Sequence, residues 1–192
     1  MIHVNDLLDD ERDKYSAIWS QRAYHDHSPG LEDVDRFWGV VKPEAGYTLL
    51  DIGCGAGLAG LELSNRGLNV QWLDIIADVL HPSIDRKQFI QAPVWSSWSM
   101  RRSTGWDYGY CVDVMEHLPT EYVALSLFRI VSACRTSWIT VSFLPDNLGQ
   151  LIGQKLHLTV RSFEWWRDII GSIGKLADAR DLCGRGVFVV KR

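Results

Sequence analysis

Apolar and polar residues follow two alternating patterns from residue 47 onward. Short apolar runs predict β-strands, and segments in which apolar residues recur every three or four positions predict α-helices. Because strands alternate with helices of this length, the chain should fold as an α/β sandwich around a parallel sheet. The predicted strands are 47–52, 69–74, 88–91, 108–114 and 137–143, and the predicted helices are 58–65, 120–133 and 162–173.

The two ends of the chain follow other patterns. Residues 5–24 and 31–42 predict two amphipathic helices with a proline-glycine break between them. Near the C-terminus, LADARDL and GVFVVKR flank a glycine-containing turn, which predicts an antiparallel hairpin at one edge of the sheet. We expect residues 1–192 to form a single domain.

Composition and charge narrow the class of protein. The chain has 192 residues, of which 46% are hydrophobic and 23% charged, as is usual for a globular domain. It has no apolar run of transmembrane length, its N-terminus is too acidic for a targeting peptide, and its four cysteines stand apart from one another. We therefore expect a cytoplasmic protein without a membrane partner. The net charge of −4 disfavours long nucleic acid as a partner.

A glycine-rich turn connects the first predicted strand to its helix. In LLDIGCGAGLAG, residues 49–60, the glycines let the backbone approach a ligand closely. Asp74 ends the next strand, where a carboxylate can bind a ribose diol. The same glycines also match the dinucleotide-binding fingerprint, so they do not distinguish between cofactors.

Asp51 favours one cofactor over the other. It lies two residues before Gly53, where its charge would repel a pyrophosphate and attract an ammonium or a sulfonium group. S-adenosylmethionine carries both of these cations, whereas a nicotinamide dinucleotide presents an anion. The alternative is that Asp51 only caps the following helix. We expect S-adenosylmethionine.

Polar residues crowd the end of the fourth predicted strand. In CVDVMEHLP, residues 111–119, an apolar run is followed closely by Asp113, Glu116 and His117. Burial of such charges costs several kcal/mol unless they are paired. In an open α/β sheet the ligand lies beyond the carboxyl ends of the strands, so we expect these side chains to face it.

The motifs LLDIGCGAG and DVMEHLP, together with Asp74, resemble those of the class I S-adenosylmethionine-dependent methyltransferases over about residues 45–145. The resemblance implies a three-layer sandwich with a mostly parallel seven-stranded sheet whose last strand is antiparallel. It also implies S-adenosyl-L-methionine as cofactor, held by residues of the glycine loop and of the strand ends. The expected cofactor-binding residues are Asp51, Gly53, Cys54, Gly55, Gly57, Leu58, Asp74, Ile75, Trp95, Asp113 and Val114.

The segment after the third strand, which covers the adenine in the family, departs from the family pattern. Many members have an acidic residue after the third strand, but QAPVWSSW, residues 91–98, has none. An indole of Trp95 or Trp98 could stack on the adenine instead. The alternative is that both tryptophans belong to the core.

Three roles stay open for Glu116 and His117. His117 could act as a general base toward a hydroxyl acceptor, because an imidazole titrates near neutral pH. A divalent metal could bind Asp113, Glu116 and His117, with His157 as a further ligand from the loop after the fifth strand. Alternatively, Glu116 and His117 only border the cofactor, as in many metal-free relatives.

The candidate metal ligands resemble a pattern found in two groups of metal-assisted O-methyltransferases. The O-methyltransferases of ubiquinone biosynthesis and the small-RNA 2′-O-methyltransferases have Glu-x-x-Glu-His after the fourth strand. The RNA group has a later His followed closely by Glu-Trp, which Glu164 and Trp165 echo after His157. Asp113 replaces the first Glu of the pattern, and its side chain is shorter than that of Glu by one methylene group.

These observations predict a methyltransferase that O-methylates a small molecule or a sugar. Residues 1–44 should form a helical lid, and residues 144–161 a loop on the acceptor side. One alternative is a metal-using 2′-O-methyltransferase of a nucleotide or an RNA 3′ end. Another is a non-catalytic protein that binds S-adenosylmethionine as the partner of a complex.

Overall fold

The computed structural model describes residues 4–25, 29–98 and 104–192. In this part of the chain, seven strands form one sheet with helices on both faces. The strands are β1 (Thr48–Ile52), β2 (Asn69–Asp74), β3 (Phe89–Gln91), β4 (Trp106–Val112), β5 (Cys134–Ser142), β6 (Lys175–Asp181) and β7 (Arg185–Lys191). The helices are α1 (Val4–Trp19), α2 (Arg22–His25), α3 (Pro29–Val41), α4 (Leu58–Asn65), α5 (Thr120–Ala133) and α6 (Phe163–Ile173).

The strand order is β3-β2-β1-β4-β5-β7-β6. Strands β1 to β5 pair in parallel, and β7 is antiparallel to both of its neighbours. The predicted fold class, including the antiparallel last strand, is confirmed. The order reverses between β1 and β4, so the crevice for a ligand lies at the carboxyl ends of these two strands.

The core has two layers, one on each face of the sheet. On one face, α5 and α6 bury side chains such as Ile130 and Trp166 against the sheet. On the other face, α3 and α4 do the same with Phe37 and Leu63. Within the described residues, no helix combines the length and the apolar character needed to cross a membrane.

Element bounds differ from the sequence prediction in a few places. The first predicted helix is two helices, since α1 ends at Trp19 and α2 begins at Arg22. The predicted break at Pro29 is the start of α3, where the missing N–H of proline costs no helical hydrogen bond. Strand β4 ends at Val112 because Asp113 has a φ of 52°, outside the extended region.

Two fully buried tryptophans allow a matched test of one core hydrogen bond. The indole N–H of Trp138 donates to the buried carboxylate of Asp33 at 2.6 Å, whereas that of Trp166 has no partner among the described residues. We expect Trp138→Phe to lower the free energy of unfolding by about 1.5–3 kcal/mol more than Trp166→Phe does, because only the first removes a bond to a charged acceptor. Urea unfolding of both variants measures the difference, and equal costs would contradict the prediction.

Candidate active site

The loop between β1 and α4 follows a tight path that depends on glycine. Gly53, Gly55 and Gly57 have φ values of 68°, 52° and 77°, in the left-handed region that glycine adopts without strain. The backbone N–H groups of Gly53 and Cys54 both donate to the carbonyl of Leu73, at 2.8 and 3.1 Å, which fixes the loop to β2. A Cβ atom at Gly53 would lie 2.4 Å from the Val114 side chain, so the loop packs closely against the chain that follows β4.

Asp74 joins the end of β2 to this loop. One carboxylate oxygen accepts a hydrogen bond from the Gly55 N–H at 2.8 Å, and the other accepts from the Ile76 N–H at 3.0 Å. Burial raises the pKa of Asp74. Each oxygen keeps a lone pair for a further donor, so Asp74 can still accept hydrogen bonds from a ligand.

Asp51 lies beside the loop and is only 3% exposed. It accepts a hydrogen bond from the N–H of Gly60 at 3.0 Å, in the first turn of α4, so the helix-capping contact is present. It also lines one of the cavities described next. Burial raises its pKa to about 7, against the effect of the Gly60 hydrogen bond. The carboxylate would therefore gain from a nearby cation.

Two adjoining cavities occupy the crevice. The first, of about 110 Å³, is lined by Asp74 and Ile75 and by the segment after β3. The second, of about 500 Å³, extends from the glycine loop, including Cys54 and Leu58, to the loop that follows β5. Six residues line both cavities, namely Trp19, Tyr24, Gly53, Gly55, Asp113 and His117.

The two tryptophans after β3 have different surroundings. Trp95 lines the first cavity and packs its ring against Tyr122, with 5.3 Å between the ring centres. Both tryptophans belong to the buried core, but Trp98 does not line the cavity, and its indole N–H donates to the carbonyl of Val94 at 2.8 Å. Of the two candidates for stacking on adenine, the structure thus brings only Trp95 to the cavity.

Helices α1 and α2 line the cavities with aromatic side chains that the sequence analysis did not single out. Tyr15 borders the first cavity, and Trp19 and Tyr24 border both. A Cβ atom at Gly55 would lie 2.5 Å from the Trp19 ring, so this indole rests on the glycine loop. Residues 1–3 and 26–28 of the predicted lid lie outside the described residues.

The predicted acceptor-side loop lines the second cavity. Asp146 and His157 belong to this lining, together with Asn147, Leu148 and Leu156. The carboxylate of Asp146 accepts hydrogen bonds from the N–H groups of Gly149 and Leu156, at 2.6 and 3.0 Å. These bonds tie the two ends of the loop together and bring His157 to the cavity.

Asp113 borders both cavities, but its carboxylate is engaged by the C-terminal hairpin. One oxygen lies 3.0 Å from Nε of Arg185 and accepts a hydrogen bond from the Thr140 hydroxyl at 3.2 Å. Arg185 also donates to the Thr140 hydroxyl at 2.9 Å. Burial raises the pKa of Asp113, and the charge of Arg185 opposes this shift. Arg185 could not be predicted from the sequence as a partner of Asp113, because only the strand order brings β7 beside this position.

Glu116 is fully buried in the short 3₁₀ turn after β4. One carboxylate oxygen accepts a hydrogen bond from the Ser142 N–H at 2.7 Å. The other oxygen has no hydrogen-bond partner among the described residues. Burial, and then the charge of Asp113, raise the pKa of Glu116 well above its usual range. Glu116 therefore has a buried oxygen available to a ligand.

His117 and His157 face each other across the site. Their ring centres are 4.7 Å apart, with the rings nearly perpendicular. His117 Nδ1 lies 2.6 Å from the Tyr15 hydroxyl, and His157 Nδ1 lies 2.6 Å from the carbonyl of Leu144. Since a carbonyl can only accept, His157 Nδ1 is protonated and its Nε2 is free to bind a ligand. Burial, followed by the effect of His157, lowers the pKa of His117 to about 3, so its imidazole is neutral.

Glu116, His117 and His157 form a group that could hold a metal ion. One ligand atom from each lies within 4.8 Å of those of the other two. Asp113 does not belong to the group, since it pairs with Arg185; of the four metal ligands in the sequence prediction, the structure brings three together. Two imidazoles and a carboxylate suit zinc, manganese, iron or cobalt better than calcium or magnesium.

The Glu-Trp pair after His157, Glu164 and Trp165, lies outside the candidate site. Glu164 is in the first turn of α6 and fully exposed, and Trp165 packs against Trp166 and Arg161. Neither residue of the pair lines the two cavities. The Glu-Trp part of the RNA methyltransferase pattern therefore does not extend into the site, whereas Glu116, His117 and His157 do.

Comparisons with known proteins give structural matches only. No protein-family profile matches the sequence, and no curated protein matches it. The fold is similar to that of the 1,6-didemethyltoxoflavin-N1-methyltransferase of Burkholderia thailandensis, solved with bound 1,6-didemethyltoxoflavin and S-adenosylhomocysteine. The TM-score is 0.74, and the identity is 12% over 100% of this chain and 91% of that chain.

Two further solved methyltransferase structures have a similar fold. The magnesium protoporphyrin IX methyltransferase of Synechocystis with bound S-adenosylhomocysteine has a TM-score of 0.63 and 19% identity over 95% of this chain and 94% of that chain. A TehB-like S-adenosylmethionine-dependent methyltransferase of Corynebacterium glutamicum has a TM-score of 0.61 and 16% identity over 95% and 98% of the two chains. The protein therefore has the fold of the class I S-adenosylmethionine-dependent methyltransferases.

Proposed function

We propose that the protein is an S-adenosylmethionine-dependent methyltransferase whose acceptor is a hydroxyl group of a neutral or cationic small molecule or sugar. The observation that carries this proposal is that His117 lines both cavities. A donor methyl held over the glycine loop and a hydroxyl held in the larger cavity would therefore meet beside the cluster of Glu116, His117 and His157.

The charge of the cavities supports the choice of methyl donor. Among the described residues that line them there is no lysine or arginine, whereas Asp51 and Asp74 contribute carboxylates. The carboxylate of Asp113 also lines them but pairs with Arg185. An acidic crevice attracts the sulfonium and ammonium groups of S-adenosylmethionine and repels a pyrophosphate. In this proposal Asp51 lies near the methionine part, Asp74 accepts from the ribose, and Trp95 borders the adenine.

The cluster supports a bound metal better than a free histidine base. An imidazole whose pKa is lowered to about 3 accepts a proton weakly, which disfavours His117 as the general base. The neutral His117 imidazole and the Glu116 oxygen that has no partner among the described residues are suitable metal ligands. When bound by Glu116, His117 and His157, a divalent cation would supply Lewis acidity that lowers the pKa of an acceptor hydroxyl. The hydroxyl proton would leave to solvent, the oxygen would bond the methyl carbon, and the sulfonium would become a neutral thioether.

The remaining parts of the site position the reactants. The sulfonium methyl is already activated, so the protein mainly has to align the donor with the acceptor oxygen and keep water out. We infer that α1 and α2 act as a lid through Tyr15, Trp19 and Tyr24. The loop at residues 144–161 closes the acceptor side and carries His157 into the cluster.

The acidic cavities disfavour one alternative acceptor. The cluster would also suit 2′-O-methylation of a nucleotide or an RNA 3′ end. However, a phosphate in the larger cavity would meet Asp51 and Asp146, with no lysine or arginine among its described lining residues. A polyol or an amino sugar avoids this repulsion.

Transfer of an isotope-labelled methyl group tests the proposal. The protein is incubated with labelled S-adenosylmethionine and a panel of neutral sugars, amino sugars, catechols, ribonucleosides and short RNAs, with and without a chelator. We expect label on a small hydroxyl compound, lost with the chelator and restored better by Mn²⁺ or Zn²⁺ than by Mg²⁺. Label on RNA alone would support the alternative acceptor. Cofactor binding without transfer to any compound would support a non-catalytic partner protein.

Asp51 should make cofactor binding depend on pH. In the free chain burial raises its pKa to about 7, whereas the cations of a bound S-adenosylmethionine would favour the charged carboxylate and lower that pKa. Binding then releases a proton below about pH 7, so the affinity should rise from pH 6 to pH 8, by at most about tenfold per unit. Calorimetry at pH 6, 7 and 8 measures the trend. Asp51→Asn should remove it, and an unchanged trend in this variant would refute the role of Asp51.

A further inference from the structure

One face of α1 points its side chains into the site. Glu11, Tyr15 and Trp19 are spaced four residues apart, which places them on the same side of the helix. All three line the first cavity. Trp19 rests on the glycine loop, so the remaining question is what Tyr15 contributes.

Tyr15 touches His117 through its only polar atom. The hydroxyl lies 2.6 Å from Nδ1, and the two rings meet edge to face with 5.8 Å between their centres. A neutral imidazole has one donor nitrogen and one acceptor nitrogen, so a partner at Nδ1 determines what Nε2 can do. Nε2 can serve the metal-ligand cluster in the tautomer in which Nδ1–H donates to the Tyr15 oxygen. The backbone of Leu156 is a further hydrogen-bond partner of the imidazole.

His157 has the same arrangement on the other side of the cluster. Its Nδ1 donates to the carbonyl of Leu144 in the acceptor-side loop. Both imidazoles are thus held at Nδ1 by a neighbour outside the cluster, His117 by α1 and His157 by its own loop. Such outer partners fix the orientation and the tautomer of metal-binding histidines, and their loss costs about 10- to 100-fold in metal affinity.

We propose that Tyr15 is the positioning residue for His117, and that its hydroxyl holds Nδ1 so that Nε2 serves the cluster with Glu116 and His157. The effect of Tyr15 on catalysis rests on the proposed function, in which the cluster holds the metal that assists methyl transfer. It adds that docking of α1 completes the cluster, since the helix supplies a hydrogen bond that no residue of the sheet provides to His117 Nδ1 among the described residues.

A role of Tyr15 in packing alone makes a different prediction. Lys14 Nζ lies 5.1 Å from the centre of the Tyr15 ring, so the ring has neighbours of its own in α1. Phenylalanine would keep the ring and lose only the hydroxyl. If Tyr15 merely packs, Tyr15→Phe should leave the state of the His117 nitrogens unchanged.

The test uses nitrogen NMR of the full chain labelled with ¹⁵N-histidine, together with Zn²⁺ titration. In Tyr15→Phe we expect the His117 Nδ1 and Nε2 resonances to shift and the Zn²⁺ affinity to fall by about 10- to 100-fold. Tyr24→Phe is the matched control, because Tyr24 lines the same cavity and should leave the His117 resonances in place. Unchanged His117 resonances and an unchanged Zn²⁺ affinity in Tyr15→Phe would overturn the proposal.

A second probe covers the case in which Tyr15→Phe does not fold. Replacing the tyrosines with 3-fluorotyrosine weakens the phenol oxygen as a hydrogen-bond acceptor for Nδ1–H and should shift the His117 resonances while those of His157 stay in place. Equal effects on both histidines, or on neither, would overturn the proposal. These readouts need no methyl transfer, so a failure of the proposed function would be recognised separately, by an absence of label transfer in the wild type.

Discussion

Replacing Glu116 with glutamine is expected to reduce methyl transfer by at least about 100-fold without lowering the stability of the metal-free chain. The loss of activity corresponds to about 2.7 kcal/mol of transition-state stabilisation, which is within the range expected for a Lewis-acidic cation. Glutamine keeps a carbonyl oxygen that can accept the Ser142 N–H, but it removes the negative charge that would help to hold a cation.

The stability of this variant distinguishes a functional charge from a structural one. Burial raises the pKa of Glu116 well above its usual range, so the charged carboxylate is unfavourable in the absence of a cation. A neutral isostere should therefore leave the free energy of unfolding unchanged or raise it when a chelator is present. A carboxylate that does not stabilise the metal-free fold but is needed for methyl transfer is expected to be a metal ligand.

The measurement compares Glu116→Gln with Glu121→Gln, which changes an exposed residue in the first turn of α5. Labelled methyl transfer, Mn²⁺ or Zn²⁺ affinity and urea unfolding are recorded for both variants. Glu121→Gln should behave as the wild type. Full activity of Glu116→Gln would mean that Glu116 only borders the cofactor.

Replacing Asp74 with alanine is expected to weaken S-adenosylmethionine binding by about 100-fold or more. The variant would lose the acceptor for the ribose and also the bond that orients the Gly55 N–H in the glycine loop. Hydrogen bonds to a charged acceptor contribute about 1.5–3 kcal/mol each, and two of them correspond to a loss of at least about two orders of magnitude.

Asp78→Ala is the matched control for this prediction. Asp78 is exposed and lies four residues further along the chain, outside the lining of both cavities. Calorimetric titration of both variants should show near-normal affinity for Asp78→Ala and little binding for Asp74→Ala. Near-normal binding by Asp74→Ala would exclude Asp74 from the cofactor site.

Much of the fold could be predicted because local sequence determines it. Helices α4 and α5 and strand β2 have the predicted bounds, since glycine and proline mark their ends and apolar periodicity identifies their type. The glycine loop and the crowded end of β4 could be found in the same way. Both are short motifs whose position relative to a strand is fixed.

The site residues that could not be predicted from the sequence depend on contacts between segments that are distant in the chain. Tyr15 lies 102 residues before His117 in the chain, and nothing in the sequence of α1 marks it as a partner of the turn after β4. Arg185 engages Asp113 because β7 inserts beside β5. This pairing also explains why Asp113, a metal ligand in the sequence prediction, lies outside the metal-competent group.

The central claim is that the acidic crevice between β1 and β4 binds S-adenosylmethionine. Calorimetric titration of the wild-type chain with S-adenosylmethionine and, in parallel, with a nicotinamide dinucleotide tests this claim most directly. We expect saturable binding of one S-adenosylmethionine per chain and no binding of the dinucleotide, because Asp51 and Asp74 line the crevice and no lysine or arginine is found among the described lining residues. Tight binding of the dinucleotide with no binding of S-adenosylmethionine would contradict it.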